Sequence, residues 1–251
     1  MQILQLLLLL GIFLGVSYSV RSLRAMHQKV SSRLERNSRE LTAAAKEIKA
    51  QIWQSYRQTE ALQQLLALLR FNAPIPPTRS WAASPDLLLM IADLVRTHEP
   101  KLVVELGSGV STLIIAKSGA GKVISIDNSE EFADKTRALL RAHEAHSVEV
   151  RVAPLTPHVA GLEWYDTTLL QDLKEIDLLI VDGPPGSKNP NARRPAHMEL
   201  INKLSPHAII VIDDVNRDGE RELAESFASA LPNHVLTIYP HEKGTAIISP
   251  K

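Results

Sequence analysis

The chain reads as an α/β protein with a doubly wound, seven-stranded sheet whose last strand runs antiparallel, preceded by an N-terminal transmembrane helix and a helical stalk. Three observations predict this. Apolar runs of strand type recur with helix-length segments between them, the pattern of parallel strands joined by helical crossovers. The first run stops at an acidic residue and a glycine-spaced turn, and later runs also end in acids. The last two runs lie too close together for a helical crossover, so they pair as an antiparallel hairpin.

At 251 residues, one domain of ordinary size plus an appendage is expected. Ile3 to Val16 is almost wholly apolar, with consecutive leucines from Leu6 to Leu10. Adding Ser17 to Val20 gives about the eighteen residues that cross a bilayer core. A cleaved signal peptide would carry basic residues before the run, but only Met1 and Gln2 precede it. A buried core helix is the other alternative, and the run is apolar all round. An anchor fits best. Arg21, Arg24, Lys29 and Arg33 follow directly, and the positive-inside rule keeps them and the rest of the chain in the cytoplasm. The domain reading is residues 1–20 anchor, 21–72 stalk, 73–83 linker and 84–251 the folded domain.

The stalk contains no Gly or Pro from Arg21 to Asn72. Leu34, Leu41, Ile48, Ser55, Leu62 and Leu69 recur every seven residues, with Ala45, Ile52 and Leu66 beside them. That seam suits a coiled coil and a homo-oligomer formed through it. The alternative is one long amphipathic helix lying on its own domain or on the membrane surface. Ala73-Pro74-Ile75-Pro76-Pro77 ends the helix, because proline lacks the donor and its ring clashes.

Downstream, Ser84 caps an entry helix from Pro85 to Arg96. Val103 to Leu106 is the first strand, and a helix follows it to Ala116, with Ser111 or Thr112 as its cap. Lys122–Asp127 and Val148–Val152 are strands around a helix from Glu130 to Glu144. Ile176–Asp182 and Ala208–Asp214 are strands whose loops lead into helices Ala196–Leu204 and Arg217–Ala230. His234–Tyr239 and Thr245–Ser249 form the closing hairpin.

Composition excludes several classes. Twenty-eight basic and 28 acidic residues leave no global field for nucleic acid, and aromatic residues at 4% are too few for base-stacking platforms. There is no cysteine, hence no disulfide, thiolate metal ligand or cysteine nucleophile.

The chemistry-bearing residues gather at one edge. In an open parallel sheet, ligands bind at the carboxyl ends of the strands. Glu105, Asp127, Asp182 and Asp213 with Asp214 end four of them. Gly107 and Gly109 remove Cβ atoms that would hold a ligand off the backbone, and the helix start behind them offers free N–H groups. An acid about twenty residues on, Asp127, is placed for a ribose diol.

With these motifs the chain resembles the class I S-adenosylmethionine-dependent methyltransferases over roughly Leu87 to Pro250. Glu105-Leu106-Gly107-Ser108-Gly109 looks like their first motif, and Asp127 matches the ribose-binding acid. Val181-Asp182-Gly183-Pro184-Pro185-Gly186 and Ile212-Asp213-Asp214-Val215-Asn216 look like signatures of one small-molecule subgroup. The competing dinucleotide fingerprint wants a small residue, usually Gly, where Thr112 stands. The resemblance implies S-adenosylmethionine as cofactor, held by Glu105, Gly107, Ser108, Gly109, Asp127 and Asp182. It also implies a small-molecule or glycan- or lipid-linked acceptor with a hydroxyl to be methylated. A catalytically silent cofactor-binding scaffold is the rival reading, and a nicotinamide-dependent oxidoreductase is another.

Asp182, Asp213 and Asp214 converge, and clustered carboxylates repel unless a cation or protons relieve them. Mg²⁺ would do so, orienting an acceptor hydroxyl and lowering its pKa. Metal-dependent catechol-type O-methyltransferases place acids on these two strands, but put a lysine base where this chain has Pro185. Asp182, His197 and Lys188 are therefore the catalytic candidates. The alternative gives Asp182 a hydrogen bond to cofactor or substrate and gives Asp213-Asp214 a turn-capping role. Lys188, Arg193 and Arg194 lie in a proline-rich loop, either contacting an anionic group on the acceptor or solvated at the surface. His158, His207, His234 and His241 lack metal-ligand spacing. Trp164-Tyr165 either walls the pocket or packs its loop.

Overall fold

In the computed structural model, which describes residues 1–186 and 189–251, helix α1 runs unbroken from Gln2 to Leu68. The chain divides into two units, Met1–Ser55 and Tyr56–Lys251. In the first, every large apolar side chain from Ile3 to Val16 is exposed. The most apolar window has a mean hydropathy of 2.2, so this helix is long and apolar enough to cross a membrane.

The second unit begins inside the helix. Gln58, Ala61, Leu65 and Leu69 are buried at a spacing of three to four residues. Leu65 and Leu69 pack with Leu87, Leu88 and Ile91 of α2 (Pro85–His98). This stripe differs from the seven-residue seam: Leu62 is only half-buried and Leu66 is exposed. A helix docking on a globular core follows its own 3.6-residue period, so its buried stripe drifts off a strict heptad. Gln58 fixes the docking, because its Nε2 donates to Asp86 Oδ2 at 2.6 Å and its Oε1 accepts the Asp86 N–H at 3.2 Å. Ser84 occupies the N-cap of α2 ahead of Pro85, but its hydroxyl donates to Asp86 Oδ1 rather than capping a backbone N–H.

Strands and helices then alternate: β1 (Leu102–Leu106), α3 (Val110–Lys117), β2 (Lys122–Asp127), α4 (Glu130–Ala142) and β3 (Val148–Val152). A separate two-stranded hairpin, β4 (Leu155–Pro157) with β5 (Glu163–Tyr165), comes next. The main sheet resumes with β6 (Ile176–Val181), α5 (Pro195–Leu200), β7 (Leu204–Asp213), α6 (Asp218–Ala230), β8 (His234–Tyr239) and β9 (Thr245–Pro250).

Among the described residues the main sheet has seven strands in the order β3-β2-β1-β6-β7-β9-β8. Only β9 is antiparallel to its neighbours, as the short connection from β8 requires. Alternation gives the sheet two apolar faces. Val104, Leu106, Ile126, Leu179 and Val181 meet α5, α6 and the β4–β5 hairpin. Val103, Val123, Leu178 and Ile180 meet α2, α3 and the end of α1. The sheet is thus covered on both sides, as parallel strands buried on both faces demand. Chain order reverses about β1, with β2 on one side and β6 on the other, and this is the switch point where such sheets bind ligands.

Candidate active site

Register builds the site. Leu106 pairs with Ile126 and with Val181, and Val181 pairs with Ile212. One step further along, Gly107, Asp127, Asp182 and Asp213 form a single row at the carboxyl edge. Asp127 and Asp213 are buried, and Asp182 is half-buried.

Glu105 is not in that row. It lies two residues further back, opposite Ser125, and it is fully buried. Thr112 Oγ1 and Ser125 Oγ donate to its Oε2 at 2.6 and 2.7 Å, and the Gly109 N–H donates to Thr112 Oγ1 at 2.9 Å. Glu105 therefore anchors the glycine turn from below and does not line the cavity above it. Burial pushes its pKa up to about 7 against the hydrogen bonds that favour the charged form.

The turn itself is shaped for a ligand. Gly107 holds φ +95°, and a Cβ there would lie 3.1 Å from the Asp182 carbonyl oxygen. Only glycine combines that conformation with that approach. A Cβ at Gly109 would meet nothing within 4 Å, because this position faces open space. Ser108 donates from its N–H and its hydroxyl to Asp127 Oδ2 at 3.0 and 2.7 Å, while the Ser129 N–H donates to Oδ1 at 2.9 Å. Gly107, Ser108, Gly109, Asp127, Tyr165 and Asp182 all border a cavity of about 400 Å³. Its size lies within the usual range for small-molecule sites.

A second cavity of about 270 Å³ adjoins it, bordered by Trp81, Asp182, Pro185, Arg193, Asp214 and Lys243. Trp81, Asp182 and Pro185 border both. Asp182, Asp213 and Asp214 do converge, each offering an oxygen within 4.8 Å of the others. Their charge is met by protein cations. Arg193 is only 4% exposed, and its Nη2 donates to Asp182 Oδ1 and to Asp214 Oδ2, each at 3.0 Å. Lys243, from the β8–β9 turn, places its Nζ 3.5 Å from Asp213 Oδ2. Asp214 adopts φ +65°, a conformation Asp tolerates, and its carboxylate serves Arg193 and Arg217 rather than capping a turn. Burial raises Asp182 to about 6 and Asp213 to about 7. Arg193 and Lys243 neutralise much of the charge that would draw a divalent ion, and Nη2 fills the space between Asp182 Oδ1 and Asp214 Oδ2.

His197 is not brought to the site. Its ring stands edge-on to Phe227 at 5.0 Å, and burial holds its pKa below the usual imidazole value. Lys188 lies outside the described residues. Arg193, read from sequence as a loop residue facing acceptor or solvent, is a buried tie between β6 and β7. Lys243 carried no sequence signal, because only strand order brings the terminal hairpin beside Asp213. Of the aromatic pair, Trp164 packs in the core, and Tyr165 borders the first cavity with its hydroxyl buried and without a hydrogen-bond partner among the described residues.

The raised pKa of Glu105 has a stability consequence. The contribution of its protonated form is complete below the ordinary pKa of 4.5 and is lost as pH rises through about 7. Asp182 and Asp213 act in the same direction. Glu105→Gln retains an oxygen for Thr112 and Ser125 but carries no charge. Its stability relative to the parent should rise by about 3 kcal/mol between pH 4 and pH 8 in chemical denaturation. Parallel pH profiles for the two proteins would contradict the buried-carboxyl assignment.

Comparison with known proteins agrees with this geometry. Residues 104–215 match a family described as a methyltransferase domain. No curated protein matches. A methyltransferase from Geobacter sulfurreducens is similar in structure, with 19% identity, a TM-score of 0.51, and coverage of 77% of this chain and 89% of that one. An O-methyltransferase from Bacillus cereus, solved with S-adenosylhomocysteine, has 21% identity, a TM-score of 0.52, and coverage of 77% and 90%. The O-methyltransferase TomG from Streptomyces achromogenes, involved in tomaymycin synthesis and solved with S-adenosylmethionine, has 17% identity, a TM-score of 0.52, and coverage of 77% and 89%. At these identities the structural likeness establishes the fold. The family match over residues 104–215 and the sheet order together make this part of the chain similar to a methyltransferase domain.

Proposed function

We propose that this chain is a membrane-anchored, S-adenosylmethionine-dependent methyltransferase acting on a hydroxyl of a small-molecule or glycan- or lipid-linked acceptor. The observation that carries the reading is the pair of adjoining cavities at one sheet edge, joined at Trp81, Asp182 and Pro185. One is lined by the glycine turn and Asp127, and the other by charged side chains. The O-methyltransferase neighbours from Bacillus cereus and Streptomyces achromogenes support the hydroxyl as target.

The residues present fit the cofactor. Gly109 leaves space against the backbone, Asp127 offers carboxylate oxygens for ribose hydroxyls, and the unpartnered Tyr165 hydroxyl offers a donor. When bound, S-adenosylmethionine supplies a methyl group that is already electrophilic, so the protein's main task is alignment. Asp182 is the candidate proton acceptor for the hydroxyl. It borders both cavities, Arg193 engages its Oδ1, and burial raises its pKa, which makes it more basic than an ordinary carboxylate. No metal ion enters this reading.

Titration calorimetry with S-adenosylhomocysteine tests the cofactor site. Gly109→Val should abolish binding by filling the open space, and Asp127→Ala should weaken it by about 1.5–3 kcal/mol, roughly 10- to 150-fold. Parent-like affinity in both folded variants would remove the assignment. The anchor is supported by the exposed apolar segment and the basic residues behind it. The chain should stay in the membrane fraction through high salt and alkaline wash, with residues beyond Arg21 cytoplasmic. A soluble mature chain beginning near Val20 would mean a cleaved signal peptide instead.

A further inference from the structure

We propose that Arg193, assisted by Lys243, is the built-in counter-cation of the Asp182–Asp213–Asp214 cluster, standing where a divalent ion would otherwise bind and positioning Asp182 without a metal. This inference rests on the methyltransferase reading for its purpose, although its geometry stands independently.

Arg193 is held too firmly to be a surface residue caught in one pose. Besides the two carboxylates, its Nη2 donates to the Asp182 carbonyl at 2.9 Å and its Nη1 to the Asp213 carbonyl at 3.2 Å. Its Nε donates to the Pro184 carbonyl at 3.4 Å and lies 3.7 Å from Glu220 Oε1. One guanidinium thus meets backbone or side-chain oxygens at the ends of both β6 and β7 and at the start of α6. Lys243 closes the other side, with its Nζ 4.0 Å from Asp214 Oδ1 and 3.2 Å from the Ala82 carbonyl.

Mg²⁺ binds oxygen at about 2.0–2.1 Å and requires near-octahedral geometry. An ion shared by Asp182 Oδ1 and Asp214 Oδ2 would fall in the space of Nη2, which is 3.0 Å from each. An ion on the other oxygens, including Asp213 Oδ1, which has no hydrogen-bond partner among the described residues, would sit beside the Arg193 and Lys243 cations. Arginine cannot yield by losing its proton, since it stays charged at any ordinary pH, and its nitrogens offer no lone pair to a metal. The charges point the same way. Asp182, Asp214 and Glu220 already share Arg193, and Arg217 adds a second guanidinium against Asp214 at 3.1 Å. A divalent ion at the cluster would face the positive charges of Arg193, Arg217 and Lys243 at close range, which opposes its binding.

The test is Mn²⁺ binding to the full-length, detergent-solubilised protein, read by the electron paramagnetic resonance signal of free Mn²⁺, so that no turnover is needed. The parent should bind no stoichiometric Mn²⁺ at micromolar concentrations. Arg193→Met, which retains bulk but frees the carboxylates, should gain one Mn²⁺ site, and adding Asp213→Asn should weaken that site at least tenfold. Tight stoichiometric binding to the parent, lost on Asp213→Asn, would overturn the proposal, and this arm decides the matter even if Arg193→Met fails to fold. A folded Arg193→Met that gains no site would also overturn it. S-adenosylhomocysteine titration of the same samples separates the two readings: absent cofactor binding would sink the methyltransferase assignment and leave the Mn²⁺ result standing.

Discussion

Parallel pairing of β1 with β2 and with β6 determines almost everything about this site. Because Leu106, Ile126 and Val181 share one row, the next row holds Gly107, Asp127 and Asp182, and β7 adds Asp213. A slip of one residue in any strand would turn its acid onto the opposite face of the sheet. The apolar residues on both faces thus enforce the alignment of the polar ones. The close approach of Gly107 to the Asp182 carbonyl is the point where β1 and β6 leave no room for a Cβ.

That alignment brings carboxylates together, and the domain manages their charge by depth. Glu105, fully buried two positions behind the edge, is relieved by hydroxyl donors and by a raised pKa. At the edge itself, charged partners take over: Arg193, Lys243 and Arg217 face Asp182, Asp213 and Asp214. Asp127 is stabilised differently, by two backbone N–H groups and the Ser108 hydroxyl. One row of acids therefore serves two adjoining cavities of different character.

Much of this was legible in the sequence. Strands ending in acids, the glycine turn and the short β8–β9 connection predicted the sheet, its antiparallel closing strand and the edge at which Asp127, Asp182 and Asp213 meet. What was not legible required register or long-range contact. The depth of Glu105 depends on which residue pairs with Ser125, not on its place in a motif. Arg193 and Arg194 look alike in a proline-rich loop, and only tertiary packing buries one and exposes the other. Lys243 is distant from Asp213 in sequence and reaches it because β9 inserts beside β7. His197 follows a promising loop, but α5 turns its ring toward Phe227. The end of α1 carries a heptad on paper and docks by a different stripe, since a globular core selects for 3.6-residue spacing.

The central claim is that the ligand binds at this carboxyl edge, against the glycine turn and Asp127. Hydrogen–deuterium exchange of the full chain with and without S-adenosylhomocysteine tests it most directly. Slowed exchange is expected in Gly107–Ser111 and Asp127–Phe132, with the opposite sheet edge around His98–Lys101 unchanged. Unaltered exchange in both edge segments at saturating ligand, or protection confined to the opposite edge, would contradict it.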